Sequence, residues 1–159
     1  MAQVHKLEVE AEIKSCPDKL FDVYKNKAYL MPQICPDKIH SIQVLESDGK
    51  SVGSVRLWTY VMGVSVIAKD RIGAVDEERR SITFEVVGGD VTNYFNNFKA
   101  TLEVLISDDQ NNNNHNYKVK WRLEYEKASE DVADPHSHLH FLLNISAQID
   151  DYLFKNHTD

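Results

Sequence analysis

Residues 134–154 read DPHSHLHFLLNISAQIDDYLF, and this stretch decides the architecture. Asp134 suits a helix N-cap, Pro135 suits the first helical position, and no further Pro or Gly interrupts the next residues, so one long helix is expected. With successive side chains about 100° apart, Phe141, Tyr152, Ile145, His138, Ile149, Leu142, Leu153, Ser146, Leu139 and Leu143 form one continuous arc of roughly 200°. A helix resting on a single flat surface needs only about 100° of apolar face. This helix must therefore be gripped from more than one side.

The preceding chain supplies the grip. From Leu7 to Lys14, Leu7, Val9, Ala11 and Ile13 alternate with Glu8, Glu10, Glu12 and Lys14, the pattern of a half-buried strand. Ser15 is placed to cap a short helix, with Asp18 in the capping-box position and Leu20, Phe21 and Tyr24 on the inner face. A second short segment, Lys27 to Met31, stops before Pro32. Ile42 and Val44 open another strand, which turns through SDGKSVGS, residues 47–54. Strands are expected at Val55 to Val61 and Val64 to Val75, joined at Met62-Gly63, and from Arg80 to Val87. Gly88-Gly89-Asp90 breaks the run before the alternating strands around Phe98 to Ile106 and Tyr117 to Tyr125. Residues 108–116, DDQNNNNHN, make a polar hairpin end. Strand, two short helices, six strands and a long helix describe one α+β domain, residues 1–159, with an antiparallel sheet curved around the last helix.

Composition limits the function. The net charge is −7, from 25 acidic and 18 basic residues, which argues against nucleic acid or an anionic membrane as partner. No apolar run is long enough to span a bilayer, and MAQVHKLEVEAEIK lacks the apolar stretch of a signal peptide. A cytoplasmic protein with Cys16 and Cys35 as free thiols is the expectation. Gly49-Lys50-Ser51 invites comparison with a phosphate-binding loop, but the first glycine of that motif falls on Val44 and no helix follows, so a hairpin turn is expected. His136, His138 and His140 resemble a metal cluster on paper; on a helix, alternate residues diverge by about 200°, so His138 faces away and no metal site results.

The glycine loop at Gly49 to Gly53, the stretch KAYLMPQICPDKIHSIQV, the Gly88-Gly89-Asp90 break and KWRLEYEKASEDVADP from Lys120 resemble the plant Bet v I superfamily, in its major latex protein branch. Gly88 replaces the Glu usual before Gly-Asp, and the last hairpin is longer than the family's. The resemblance implies a helix-grip fold: a seven-stranded curved antiparallel sheet around the C-terminal helix, two short helices at its base, and a large cavity between. It also implies a carrier of a mainly apolar small plant metabolite such as a hormone, sterol, flavonoid, terpenoid or fatty acid. Such a carrier acts in defence or stress as a monomer or weak homodimer, without a cofactor. A minority of such proteins are cofactor-free cyclases or isomerases of terpenoid or alkaloid intermediates, and fold alone does not choose.

Strand parity gives the inward positions. They are Arg56, Trp58 and Tyr60 on the third strand, Ile67 and Lys69 on the fourth, Ile82, Phe84 and Val86 on the fifth, Phe98, Ala100, Leu102 and Val104 on the sixth, and Trp121, Leu123 and Tyr125 on the seventh. Tyr24 and Met31 close one end, facing His138, Leu142, Ile145 and Ile149. Both faces of strands three and four carry apolar residues, and a slip of one residue there inverts the assignment. These side chains either pack into a solid core or line an apolar cavity in which Arg56, Tyr60, Lys69 and His138 orient a polar end. An enzyme would use His138, Tyr60 and Lys69. The last strand has no inward lysine of the kind Pictet-Spengler members rely on, and an acidic chain without a suitably placed His pair gives little support to ribonuclease activity.

Overall fold

The computed structural model describes residues 3–109 and 114–156. Strand β1 (Val4–Ile13) leads to helix α1 (Pro17–Asn26), a 3₁₀ turn (Ala28–Leu30) and helix α2 (Met31–Ile34). Strands β2 (Ile39–Glu46), β3 (Val55–Met62), β4 (Val64–Asp76) and β5 (Ser81–Gly89) follow, then a 3₁₀ turn (Asp90–Asn93), β6 (Phe95–Asp109), β7 (Asn114–Lys127) and helix α3 (His136–Lys155). The seven strands form one antiparallel sheet in the order β1-β7-β6-β5-β4-β3-β2. The α+β helix-grip architecture expected from the sequence is what is found.

The curvature follows from what α3 touches. The helix packs on β1 and β7 and also on β3. In a flat sheet β1 and β3 would lie roughly 24 Å apart at about 4.8 Å per strand, twice the width of a helix. The sheet must bend around α3 for both contacts to exist. Leu139, Phe141, Ile145, Ser146 and Ile149 of the wide arc are buried and its other members half-buried, except Tyr152, which is 40% exposed. Cross-strand neighbours build the inner layer: Ile82 opposes Leu102, which opposes Trp121, and Phe84 opposes Ala100, which opposes Leu123.

Several local expectations are corrected. Asp134 does not cap α3: its carboxylate accepts from Tyr125 Oη at 2.5 Å and lies 3.4 Å from Lys127 Nζ, so the helix starts at His136, after Pro135. Ser15 does not cap α1, which begins after Cys16; its hydroxyl and amide both donate to Asp150, and Asp18 pairs with Arg80. Pro32 does not end a helix but sits in the first turn of α2, where its missing N–H has no intrahelical partner to lose. The Asn-rich tip, residues 110–113, lies outside the described residues.

Gly89 is the position where the backbone admits no side chain. Its φ of 95° and ψ of −164° fall in a region populated almost only by glycine, and a Cβ there would meet the Ile67 carbonyl oxygen at 2.2 Å. At Gly88 the nearest atoms to a Cβ are 3.5 and 3.6 Å away, on the Lys69 side chain. Gly89→Ala is therefore expected to destabilise the fold by at least about 2 kcal/mol in urea titrations, and Gly88→Ala by less than about 1 kcal/mol. Equal midpoints for the two variants would contradict this account of the β5 terminus.

Candidate ligand cavity

Where α3 leaves the sheet, the interior is not filled. A cavity of about 110 Å³ opens between β3–β7, the short helices and the first half of α3. Small side chains make it: Ala100 faces Phe84 across the β5–β6 ladder, and Ala68 faces Trp58 across β3–β4. Tyr24 and Met31 close the base, and His138, Phe141, Leu142 and Ile145 form the helical wall. The family resemblance implied a larger space. Trp58, Phe84, Trp121 and Phe141 crowd it, leaving less than the roughly 150 Å³ of an engineered cavity that takes up benzene.

Of the inward residues read from the sequence, Tyr24, Met31, Arg56, Trp58, Tyr60, Phe84, Val86, Phe98, Ala100, Trp121, His138, Leu142 and Ile145 line this space. Ile82, Leu102, Leu123 and Tyr125 are buried but packed in the solid core beside it. Ile67 and Lys69 are corrected: both are exposed, Ile67 by 45%, while Ala68, Asp70 and Ile72 point inward. The cause is the turn. A two-residue Met62-Gly63 connection would set Arg56 opposite Lys69, but Gly63 alone makes the turn, Met62 pairs with Val64, and Arg56 faces Asp70. A charge argument could have found this, since one register puts two cations side by side indoors and the other makes an ion pair. Ile39, Val91 and Phe141 also line the wall without having been singled out for it. Ile39 was missed because β2 begins earlier than its alternation shows.

The polar groups of the wall are few. Arg56, 1% exposed, donates from Nε and Nη2 to the two Asp70 carboxylate oxygens at 3.0 and 2.8 Å. Its guanidinium carbon lies 5.1 Å from the Trp58 ring centre and 5.2 Å from that of Phe84. Nη1 is buried without a hydrogen-bond partner, a state that costs about 1–3 kcal/mol or more for such a group. Ser146 Oγ accepts from Trp121 Nε1 at 2.9 Å and shares a 2.6 Å bond with Tyr24 Oη, so these three groups satisfy one another. Tyr60 Oη and His138 Nε2 stand 3.4 Å apart, a long contact at the edge of hydrogen-bond range. Burial raises the Tyr60 hydroxyl above its ordinary value, with the Asp90 charge adding to it, and burial lowers the His138 imidazole. Both groups are neutral near pH 7.

Other candidate chemistry recedes. The Cys35 thiol donates to the Met31 carbonyl, and burial pushes it up to about 11, so it is not a ready nucleophile. In the loop at residues 47–54, the Asp48 carboxylate already accepts from the amides of Lys50 and Ser51 and from both nearby serine hydroxyls. Those bonds hold it well below the usual carboxylate range, and a phosphate would find the amides taken. Among the described residues no group of His, Cys, Asp or Glu is arranged to hold a metal, and no helix is long and apolar enough to cross a membrane.

The sequence pattern of the pathogenesis-related protein Bet v 1 family matches residues 2–156. The chain belongs to that family. MLP-like protein 43 of Arabidopsis thaliana is 38% identical over 151 residues, covering 94% of this chain and 93% of the relative. MLP-like protein 28 of the same plant is 36% identical over 151 residues, but this family member spans only 44% of its length. The crystal structure of ginseng major latex-like protein 151 from Panax ginseng superposes with a TM-score of 0.86 at 33% identity, covering 94% of this chain and 97% of that one. Norcoclaurine synthase from Thalictrum flavum, at 18% identity and a TM-score of 0.68 over 91% of this chain and 92% of that one, shares the fold.

In this family member His138 titrates against folding. Its folded pKa lies below the unfolded value near 6.5, so between the two the unfolded chain binds more protons and stability rises with pH. Acidification from pH 7.5 to 5.5 is expected to cost wild type more stability than His138→Gln, with a slope difference of at most about 1.4 kcal/mol per pH unit. Thermal melts of both across that range check it; parallel curves would contradict the burial of a neutral imidazole.

Proposed function

We propose that this protein carries a mainly apolar small plant metabolite in the cavity beneath α3, in the cytosol and as a monomer or weak homodimer, in a defence or stress setting. The observation that carries the reading is a partly open, almost wholly apolar space beneath α3, walled by α3 and β3–β7. Burying roughly 250 Å² of ligand surface at about 25 cal/mol per Å² yields about 6 kcal/mol, a Kd of tens of micromolar. The wall would supply the driving force and the Arg56 corner the orientation. A ligand with even a benzene-sized ring needs Trp58, Val86, Leu142 or His138, the half-buried members of the wall, to move aside.

A second reading has its own observation: the neutral His138 imidazole and the Tyr60 hydroxyl face each other across the cavity wall. Such a pair could take and return a proton on a reactive enol or iminium folded into one conformation, as a cofactor-free cyclase or isomerase would. Lys69, outward on β4, is no part of it. Product stereochemistry that depends on the protein and is lost in His138→Ala and Tyr60→Phe supports this reading; identical products with and without protein reject it.

The carrier reading is tested by filling the cavity. Leu142→Trp should reduce uptake of a fluorescent apolar probe at least tenfold while leaving the melting temperature within a few degrees of wild type. Unchanged uptake in a folded Leu142→Trp variant would remove α3 from the binding wall.

A further inference from the structure

We infer that the ligand is an uncharged molecule tipped with a hydrogen-bond acceptor, a ketone, aldehyde or lactone carbonyl in preference to a carboxylate, and that its oxygen bonds Arg56 Nη1. This rests on the carrier reading and narrows it.

Arg56 lines the cavity and is almost wholly out of water. Two of its nitrogens are committed to Asp70, side-on, at 3.0 and 2.8 Å. Nη1 is buried, and no described protein group accepts from it. A buried donor without an acceptor is costly, and Nη1 is closed off even from water, so a ligand oxygen that reaches it when the half-buried Trp58 beside it shifts is favoured. Trp58 and Phe84 flank the guanidinium at 5.1 and 5.2 Å, which restricts its plane and the direction of the free N–H.

The charge of the site selects further. Arg56 and Asp70 neutralise each other, and Arg56 is the sole lysine or arginine among the described lining residues, Lys69 and Arg71 both being exposed. A carboxylate ligand would add a second negative charge beside Asp70, out of water and without a cation of its own. A cationic ligand would face Arg56 in the same way. A neutral carbonyl gains a bond from a charged donor and disturbs no charge balance.

The test compares three probes of similar size, acetophenone, isopropylbenzene and benzoate, by calorimetric titration. The double variant Arg56→Met/Asp70→Leu replaces the pair with apolar side chains and avoids stranding either charge. The ratio of acetophenone to isopropylbenzene affinity is expected to be at least tenfold higher in wild type than in the double variant, with benzoate binding wild type more weakly than acetophenone. An unchanged ratio, or benzoate as the tightest of the three, overturns the inference and leaves the carrier reading standing. No binding of either neutral probe at millimolar concentration rejects the carrier reading and this inference with it. If the double variant does not fold, wild-type protein labelled with ¹⁵N-arginine decides. The Arg56 Nη–H resonance should move downfield with acetophenone but not with isopropylbenzene; equal responses overturn the assignment.

Discussion

Asp150, 4% exposed near the C-terminal end of α3, accepts from the Lys14 amide, the Ser15 amide and the Ser15 hydroxyl, all between 2.5 and 3.1 Å. A carboxylate can be buried only when donors replace its water, and these donors come from the junction of β1 and α1. One helical turn earlier, Ser146 is held by Tyr24 from α1 and Trp121 from β7. Two polar nodes, four residues apart on one helix face, thus fix the height of α3 above the sheet. Just before the helix starts, Asp134 accepts from Tyr125 of β7, and between that tie and Ser146 the polar anchoring is sparse. There the helix presents Leu142, Phe141 and His138 to a space that the alanines of β4 and β6 leave open. The cavity lies where α3, tied by polar groups near both ends, merely spans between them.

Inside the cavity the Arg56–Asp70 pair answers to a different constraint. Replacing a buried ion pair by well-packed apolar residues is often neutral or stabilising, so stability alone does not account for such a pair in an apolar wall. On the carrier reading, it would provide a fixed dipole at one corner of a site that otherwise grips by area alone. Apolar burial is non-directional. A single immobilised donor would give such a site an orientation, and the long Tyr60–His138 contact on the same wall would be a second polar point.

Much of this was legible in the sequence, because alternation and periodicity report burial directly. The wide arc of α3, the face of β1 carrying Leu7, Val9, Ala11 and Ile13, and the inward triplet Arg56, Trp58 and Tyr60 all stand as periodicity predicts. The two capping failures share one origin, a long-range partner invisible to local pattern. Asp134 has the chemistry of a helix cap, but Tyr125 claims its carboxylate; Ser15 has the same chemistry, but Asp150 claims its hydroxyl. On β4, where both faces carry apolar residues, parity rested on the length of one turn, and a single residue at Gly63 exchanged Lys69 for Asp70. The size of the cavity was not legible either, since Trp58, Phe84 and Phe141 can be read as inward without revealing how far they reach.

The central claim is that an apolar ligand sits inside, between α3 and the sheet. Intermolecular nuclear Overhauser contacts from an unlabelled apolar ligand to methyl-labelled protein test it most directly. The account predicts contacts to the methyl groups of Met31, Ile39, Ala68, Ala100, Leu142 and Ile145, which line the cavity. Contacts confined to outward methyls such as those of Val44, Val64 and Ile67 would contradict it.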